Sequence, residues 1–518
     1  MASEKPGKSR IHAPKGTRDV YPEDMLRRRY IQKVWRDCSI RHGFEEIDGP
    51  MFEQAQLYAV KSGEGILGEL FQAYSGKSPE EVEQVKETGR APFAMRPEFT
   101  PTLARMYAER ARQLPKPVKW FSIGPFFRAE RPQRGRLREF LQWNCDVIGD
   151  EIQDAEIISM MILACESFGL QPDVLNTHLN SRQDVEYALQ YCGIPRKRHA
   201  QWFEVLDKAR KITEEELRAR GRSIEAEQPE AADAVVSFFS LRKPDMQSKG
   251  DFEAWERDLE NRPSPLSDEE INNLKQLFHP TISSKRTMLW NGLNERLPGG
   301  AHANGASSWC REDRSLVRGL AYYTGTVFEL IAEGERSVAG GGRYDNLIEL
   351  VGGPPTPAVG FAMGDVVLGI LLEEKGLMPE GQELRDALSR PPASLRPEAF
   401  VVTPDPQRDR DVRRLVAGLR RGTESEAWRA RDDRKPWDAD RYEPRSGGVP
   451  PLHARASAKS TRKISKLLAE AAGQFARFAV IIESDRTATV KDLDLGEDLQ
   501  RGVDLEGVSS LIASRCSA

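Results

Sequence analysis

Between residues 119 and 150 the chain reads KWFSIGPFFRAERPQRGRLREFLQWNCDVIGD, and its apolar and polar positions predict a β-hairpin. Residues 120–128 are apolar and aromatic, Pro132-Gln133-Arg134-Gly135 carries turn chemistry, and residues 136–148 alternate. Side chains of a strand alternate between its two faces, so Arg136, Arg138, Phe140, Gln142, Asn144 and Asp146 share one face. Leu137, Leu141, Trp143, Cys145 and Val147 share the other. One face reads as core and the other as a place for a polar ligand. Before this hairpin, Pro22-Glu23-Asp24 opens a helix to Arg41, with proline and acids in the first turn and His42-Gly43 at the stop. After it, residues 151–168 have helical spacing of Ile152, Ile157, Ile158, Met161, Ile162 and Cys165, and residues 173–179 read as a strand. Residues 54–91 are mixed and charge-rich, and are read as helix and loop.

Further along, the pattern divides the chain. Residues 182–311 shift to charged helical patterns such as RKITEEELRARGRSIEAEQPEAADAVVSFF, interrupted by RPSPLSDEE and LPGGAHANGASS, which predicts an inserted helical domain. A charged linker with Pro391-Pro392 precedes a separate α/β region from about residue 396. There EAFVVTP and FAVIIE read as strands, DVRRLVAGLRRG and STRKISKLLAEAAG as helices, and TATVKDLDLGED as a final strand and turn. Residues 432–454 are polar and Pro/Gly-rich where a strand and a short connection are expected.

Composition narrows the class. A length of 518 residues exceeds one ordinary domain, and a net charge of -4 excludes a general nucleic-acid coat while allowing local basic patches. Six cysteines are scattered without a C-x-x-C pair, which argues against structural zinc or a disulfide framework and fits reduced thiols. His178, His199 and His279 lack metal-ligand spacing, so no metal site is predicted. No apolar run approaches the roughly 20 residues of a membrane span, and the polar start MASEKPGKSR lacks a secretory signal, so a cytoplasmic protein without membrane contact is expected.

The candidate chemistry gathers around the hairpin. Arginines at 128, 131, 134, 136 and 138 suit bidentate recognition of phosphate or carboxylate, although alone they also fit a solvated turn. Phe140, Gln142 and Asp146 follow on one face, an aromatic ring, an amide and a carboxylate suited to a nucleotide beside a small polar molecule. In Arg96-Pro97-Glu98-Phe99-Thr100 a carboxylate and a hydroxyl are sensible partners for an ammonium group, although a Thr-Pro helix cap beside an acid is the simpler account of those residues alone.

The run FFRAERPQRGRLREFLQ resembles motif 2 of the class II aminoacyl-tRNA synthetases, and specifically of the histidyl-tRNA synthetases. PKGTRDVYPEDM resembles the segment that opens their core, residues 43–52 resemble motif 1 ending at Pro50, and LVRGLAYYTGTVFEL resembles a signature found in this family and hardly elsewhere. AGGGRYDNLIELVGG and TPAVGFAMGDVVLGILL resemble the strand and buried helix of motif 3, while the likeness of residues 396–518 to the anticodon-binding domain is weaker. The resemblance implies that Arg128 binds the ATP α-phosphate, that Phe140 stacks on adenine, and that Arg136 and Arg138 complete the ATP site. It implies that Glu98 and Thr100 hold the histidine α-amino group, with Gln142, Asp146, Tyr322 and Tyr323 binding the amino acid. Arg318 matches an arginine that bridges the substrate carboxylate and the α-phosphate, and is, with Arg128, the expected catalytic residue.

Two departures stand out. Ala321 occupies a position where the family usually has an acid, and Val367 stands where the motif 3 helix usually carries an arginine for the ATP γ-phosphate. The implied fold is an α+β class II core on an antiparallel sheet, with an inserted helical domain and a C-terminal α/β anticodon-binding domain. The expected boundaries are a disordered leader (1–13), core (14–181), insertion (182–311), core (312–377), linker (378–395) and anticodon-binding domain (396–518). The implied activity is a homodimeric ligase joining L-histidine to tRNA(His) with ATP and Mg2+. The alternative is a non-catalytic histidine-sensing relative, such as a regulatory subunit of ATP phosphoribosyltransferase. Such relatives typically lack the anticodon-binding domain and the arginine-tyrosine signature, and this sequence has both.

Overall fold

The computed structural model describes residues 11–62, 70–150, 153–209, 212–240, 284–297, 306–313, 316–317, 322–332, 337–459 and 461–516. Most of the expected leader (1–10), together with His279, Arg318 and Ala321, lies outside the described residues.

In chain order the strands are β1 (Glu45–Glu46), β2 (Phe52–Gln54), β3 (Gln72–Ala73), β4 (Phe93–Met95), β5 (Val118–Phe127), β6 (Glu139–Ile148), β7 (Leu175–Ser181) and β8 (Cys310–Glu312). They continue with β9 (Thr326–Ala332), β10 (Ser337–Arg343), β11 (Ala358–Gly364), β12 (Ala399–Val402), β13 (Ala454–Ala456), β14 (Phe478–Ile482), β15 (Thr487–Asp492) and β16 (Glu497–Asp504). The central eight-stranded sheet runs β1-β5-β6-β11-β10-β9-β7-β8. It is antiparallel except for the parallel edge pairs β1–β5 and β7–β8. This sheet and its helices are the class II synthetase core, followed by a C-terminal domain built on a five-stranded sheet, β13-β12-β14-β15-β16.

The expected hairpin is the middle of the large sheet. The helix Pro22–Arg41 forms as the sequence predicts, with Pro22 in its first turn, Glu23 and Asp24 opposite the positive end of the dipole and Arg41 in its last turn. Its Trp35 stacks on Trp143 of β6 at 5.8 Å, and the Trp143 indole donates to Ser39 Oγ at 2.9 Å. With Cys145 and Val147 this makes the back face of β6 part of the main apolar core. The front face meets a second cluster, which contains Phe99, Phe126, Tyr107, Tyr322, Tyr323 and Tyr344 and against which Phe140 packs, its ring 6.3 Å from that of Phe126.

Three expectations required adjustment. The β6 ladder begins at Glu139 rather than 136, because the Arg138 N–H donates to Gly16 O of the opening segment at 2.8 Å. Within residues 54–91 and their flanks the chain forms a small sheet, β2-β4-β3, whose strands of two or three residues are too short to show a period. The C-terminal end is a β15–β16 hairpin followed by the helix Val508–Cys516, and β16 was unreadable because it is charged and mostly exposed on a sheet edge.

Between β7 and β8 the helices Arg182–Tyr191, His199–Leu206 and Pro229–Ser240 bury a separate cluster around Trp202, Phe203 and Val235. The polar stretch 432–454 wraps back onto the core: Trp437 is buried edge-on to Tyr30, and Trp428 lies under the Arg434 and Arg441 guanidinium groups. His178 is bonded to Asp313 and His199 to the Ile194 carbonyl, both structural partnerships.

Candidate active site

The centre of the site is a buried carboxylate. Asp146 lies on the front face of β6, opposite Trp120 on β5 and Gly360 on β11. Its Oδ1 accepts a hydrogen bond from the Tyr344 hydroxyl. Burial pushes the Asp146 carboxyl up to about 7, with the Tyr344 hydrogen bond opposing the shift and the negative charge of Glu98 adding to it. A carboxyl group tuned to that range, at a sheet face rather than in an ion pair, is a feature of ligand sites.

Tyr344 was not singled out in the sequence, although it stands in the glycine-rich GGGRYD run. Its position is fixed from both sides. Arg343 donates to Asp154 at 2.6 and 3.0 Å, Asp345 accepts from Arg343 and Thr324 at 3.1 Å each, and the Tyr344 N–H donates to Ala358 O at 2.8 Å. Tyr322 lies edge-on to Tyr344 at 5.9 Å and packs on Tyr323 at 4.6 Å, so the ring bonded to Asp146 belongs to a group of three tyrosines. Gln142, also buried, donates through Nε2 to Asn144 Oδ1 at 2.7 Å, leaving its carbonyl end for another donor.

The glycines beside Asp146 have a specific use. A Cβ on Gly360 would stand 2.6 Å from Asp146 Cγ, and one on Gly342 would stand 2.8 Å from the Tyr323 ring. Only residues without a side chain let β10 and β11 lie this close to the polar pocket.

At the open end of the hairpin the arginine loop is closed by Arg128 N–H donating to Arg138 O at 2.9 Å, with a tight Gln133–Arg136 turn inside it. Arg128 Nε donates to Pro97 O at 3.2 Å, and its guanidinium lies 5.1 Å from the centre of the Phe140 ring. Arg136 pairs with Glu130, while Arg138 donates to the Glu130 and Lys15 carbonyls at 3.3 Å each and lies over Phe71. Glu98 is half-buried, and Thr100 begins the helix Thr100–Arg110. The structure thus brings Arg128 and Phe140 into contact and puts Tyr322 and Tyr323 in one cluster with Phe140. Val367, by contrast, is buried in the main core. Among the described residues no group of three or more His, Cys, Asp or Glu could hold a metal ion, and no described helix is long and apolar enough to cross a membrane.

Comparison with solved structures agrees on the fold. A histidine--tRNA ligase subunit from Alicyclobacillus acidocaldarius superposes with a TM-score of 0.55 at 23% identity, covering 71% of this chain and 99% of that one. A histidyl-tRNA synthetase from Nostoc sp. gives 0.53 at 20% identity over 98% of this chain and 100% of that one. An ATP phosphoribosyltransferase regulatory subunit/histidyl-tRNA synthetase from Bacillus halodurans gives 0.52 at 18% identity over 93% and 100%. In sequence, the chain is 34% identical to the histidine--tRNA ligase of Opitutus terrae over 70% of this chain and 75% of that protein. It is 32% identical to that of Thermococcus kodakarensis over 80% of this chain and 84% of its relative. The model of the family described as histidyl-tRNA synthetase matches residues 16–277 and 301–365. With the motifs, the class II sheet and a match of that extent all agreeing, the chain belongs to the histidyl-tRNA synthetase family of aminoacyl-tRNA ligases.

Proposed function

We propose that the protein activates L-histidine with ATP and transfers it to the 3' end of tRNA(His). The observation that carries this reading is the buried Asp146, bonded to Tyr344, whose ring packs with Tyr322 and through it with Tyr323, because a carboxylate beside an aromatic cluster suits an imidazole N–H. In this reading Gln142, Asp146, Tyr322 and Tyr323 hold the amino acid, and Glu98 and Thr100 take its ammonium group. Phe140 stacks on adenine, while Arg128, Arg136 and Arg138 line the phosphates. Magnesium arrives bound to the ATP phosphates as part of the substrate.

The reaction then has two steps. A histidine carboxylate oxygen attacks the α-phosphorus, forming the acyl-phosphate bond as the bond to pyrophosphate breaks. The tRNA terminal hydroxyl next attacks the histidyl carbonyl, forming an ester as AMP leaves. Arg128 and Arg318 would stabilise the charge that develops on the pentavalent phosphorus, since a permanently charged guanidinium can hold two anionic oxygens at once. The C-terminal domain is the proposed reader of the anticodon, and a homodimer through the motif 1 region is the proposed assembly.

The test is histidine-dependent exchange of labelled pyrophosphate into ATP, followed by aminoacylation of tRNA(His). Exchange with histidine and with no other amino acid is expected. A folded protein that binds histidine without exchange would instead be a non-catalytic, histidine-sensing relative.

A further inference from the structure

The site lacks the arginine that the first turn of the motif 3 helix usually supplies, and Val367 in its place is turned into the apolar core. We propose that Arg18, from the segment that opens the core, takes over this task and binds the terminal phosphates of ATP. The inference rests on the activation reading above.

Four observations carry it. The first is location: Arg18 donates to Oδ2 of Asp365, the first residue of the helix Asp365–Glu374, so a cation stands two residues from the vacated position. The second is orientation. Oδ1 of the same Asp365 accepts from the Leu141 N–H at 2.9 Å, which places the guanidinium one carboxylate away from the backbone between Phe140 and Gln142. Those two residues are on the ligand face of β6.

The third is that the segment is fixed. Gly16 O accepts from the Arg138 N–H at 2.8 Å, and Lys15 O accepts from the Arg138 guanidinium at 3.3 Å. Gly16 has φ +88°, and a Cβ there would fall 2.5 Å from Pro132 Cγ, so the backbone is pressed against the arginine loop itself. Arg18 therefore belongs to the same unit as the phosphate-binding candidates. The fourth is availability. The Arg18 side chain keeps 41% of its surface exposed while its Asp365 partner is 4% exposed, so one edge of the fork is tethered and the remaining N–H groups are open. Arg136 and Arg134, in contrast, are drawn to Glu130 and Glu374.

A tethering role alone would not depend on how many phosphates a ligand carries, and this separates the two accounts. Calorimetric titration of wild type, Arg18→Ala and Arg18→Lys with magnesium-ATP and with AMP is the measurement. Loss of one charge-assisted contact should weaken ATP roughly tenfold to hundredfold in Arg18→Ala and leave AMP within about twofold, with partial recovery in Arg18→Lys. In pyrophosphate exchange the KM for ATP should rise and the KM for histidine should hold. Equal losses for ATP and AMP, or no loss, would overturn the assignment while wild-type exchange still upheld the activation reading. A wild type without exchange, whose ATP affinity alone depended on Arg18, would sink the activation reading and keep Arg18 as a phosphate ligand.

Discussion

Gly360 and Asp146 face each other across β11 and β6 so closely that a Cβ on Gly360 would stand 2.6 Å from the Asp146 Cγ. The carboxylate occupies the space a side chain would need. Gly360→Ala should therefore displace Asp146, abolish measurable histidine binding and lower stability by about 1 to 3 kcal/mol, the usual cost of forcing extra volume into a packed site. Calorimetry with histidine, alongside urea unfolding, would check both.

Tyr344→Phe removes the hydroxyl that Asp146 accepts from while keeping the ring that packs on Tyr322. Histidine affinity should fall by about 1 to 3 kcal/mol, the cost of an unsatisfied buried polar partner, with ATP affinity little changed. Unchanged histidine affinity would show that the ring, and not its hydroxyl, is what the pocket uses, and equal losses for both ligands would show a general disturbance of the site.

The raised pKa of Asp146 makes stability depend on pH. Its folded value of about 7 lies above the ordinary aspartate value of 3.8, so the folded state holds the proton more tightly. That contribution is fully present below about pH 4 and is lost as pH rises through about 7. Asp146→Asn cannot titrate, so the wild type should lose stability relative to this variant between pH 5 and pH 8, by order of magnitude a few kcal/mol at most. Urea unfolding of both proteins across that range would measure it, and parallel curves would refute the shift.

Glu156 holds the domains together through one buried carboxylate. It accepts from Lys119 of β5 at 2.9 Å, Arg296 of the helix Ser284–Arg296 at 3.0 Å and Arg420 of the C-terminal domain at 2.7 Å. Those three cations hold its carboxyl well below the usual range in spite of a desolvation cost that opposes them. Glu156→Gln leaves three partly buried cations uncompensated, and should cost about 3 to 5 kcal/mol. Because the folded pKa is depressed, the stabilisation is present above the ordinary carboxylate range and is lost as pH falls below it. Thermal melting at neutral pH and in steps below about pH 4 would show the difference between variant and wild type shrinking on acidification.

Arg318→Ala should slow adenylate formation by about two to three decades, the size expected for a lost transition-state donor, and leave the melting temperature unchanged. Single-turnover formation of the adenylate is the direct measurement.

The amino-acid sequence by itself determined what local periodicity can encode. The alternation over residues 139–148 separated Trp143, Cys145 and Val147 from Phe140, Gln142 and Asp146, and the structure keeps that division. Pro22 and its neighbouring acids likewise marked the helix that buries Trp35 against Trp143. Such features depend on neighbours one to four residues apart, which a strand or helix places on a known face.

Which partners meet across those faces was decided only by tertiary structure. Tyr344 reaches Asp146 from 198 positions away, because β11 pairs with β6 and β10 with β11 in one particular register. Arg18 reaches Asp365 across 347 positions, and Arg420 reaches Glu156 across 264. No period in the chain specifies these distances. The elevated pKa of Asp146 belongs to the same category, since it comes from burial in the folded chain, and a lone aspartate in a sequence carries no sign of how deeply it will be buried.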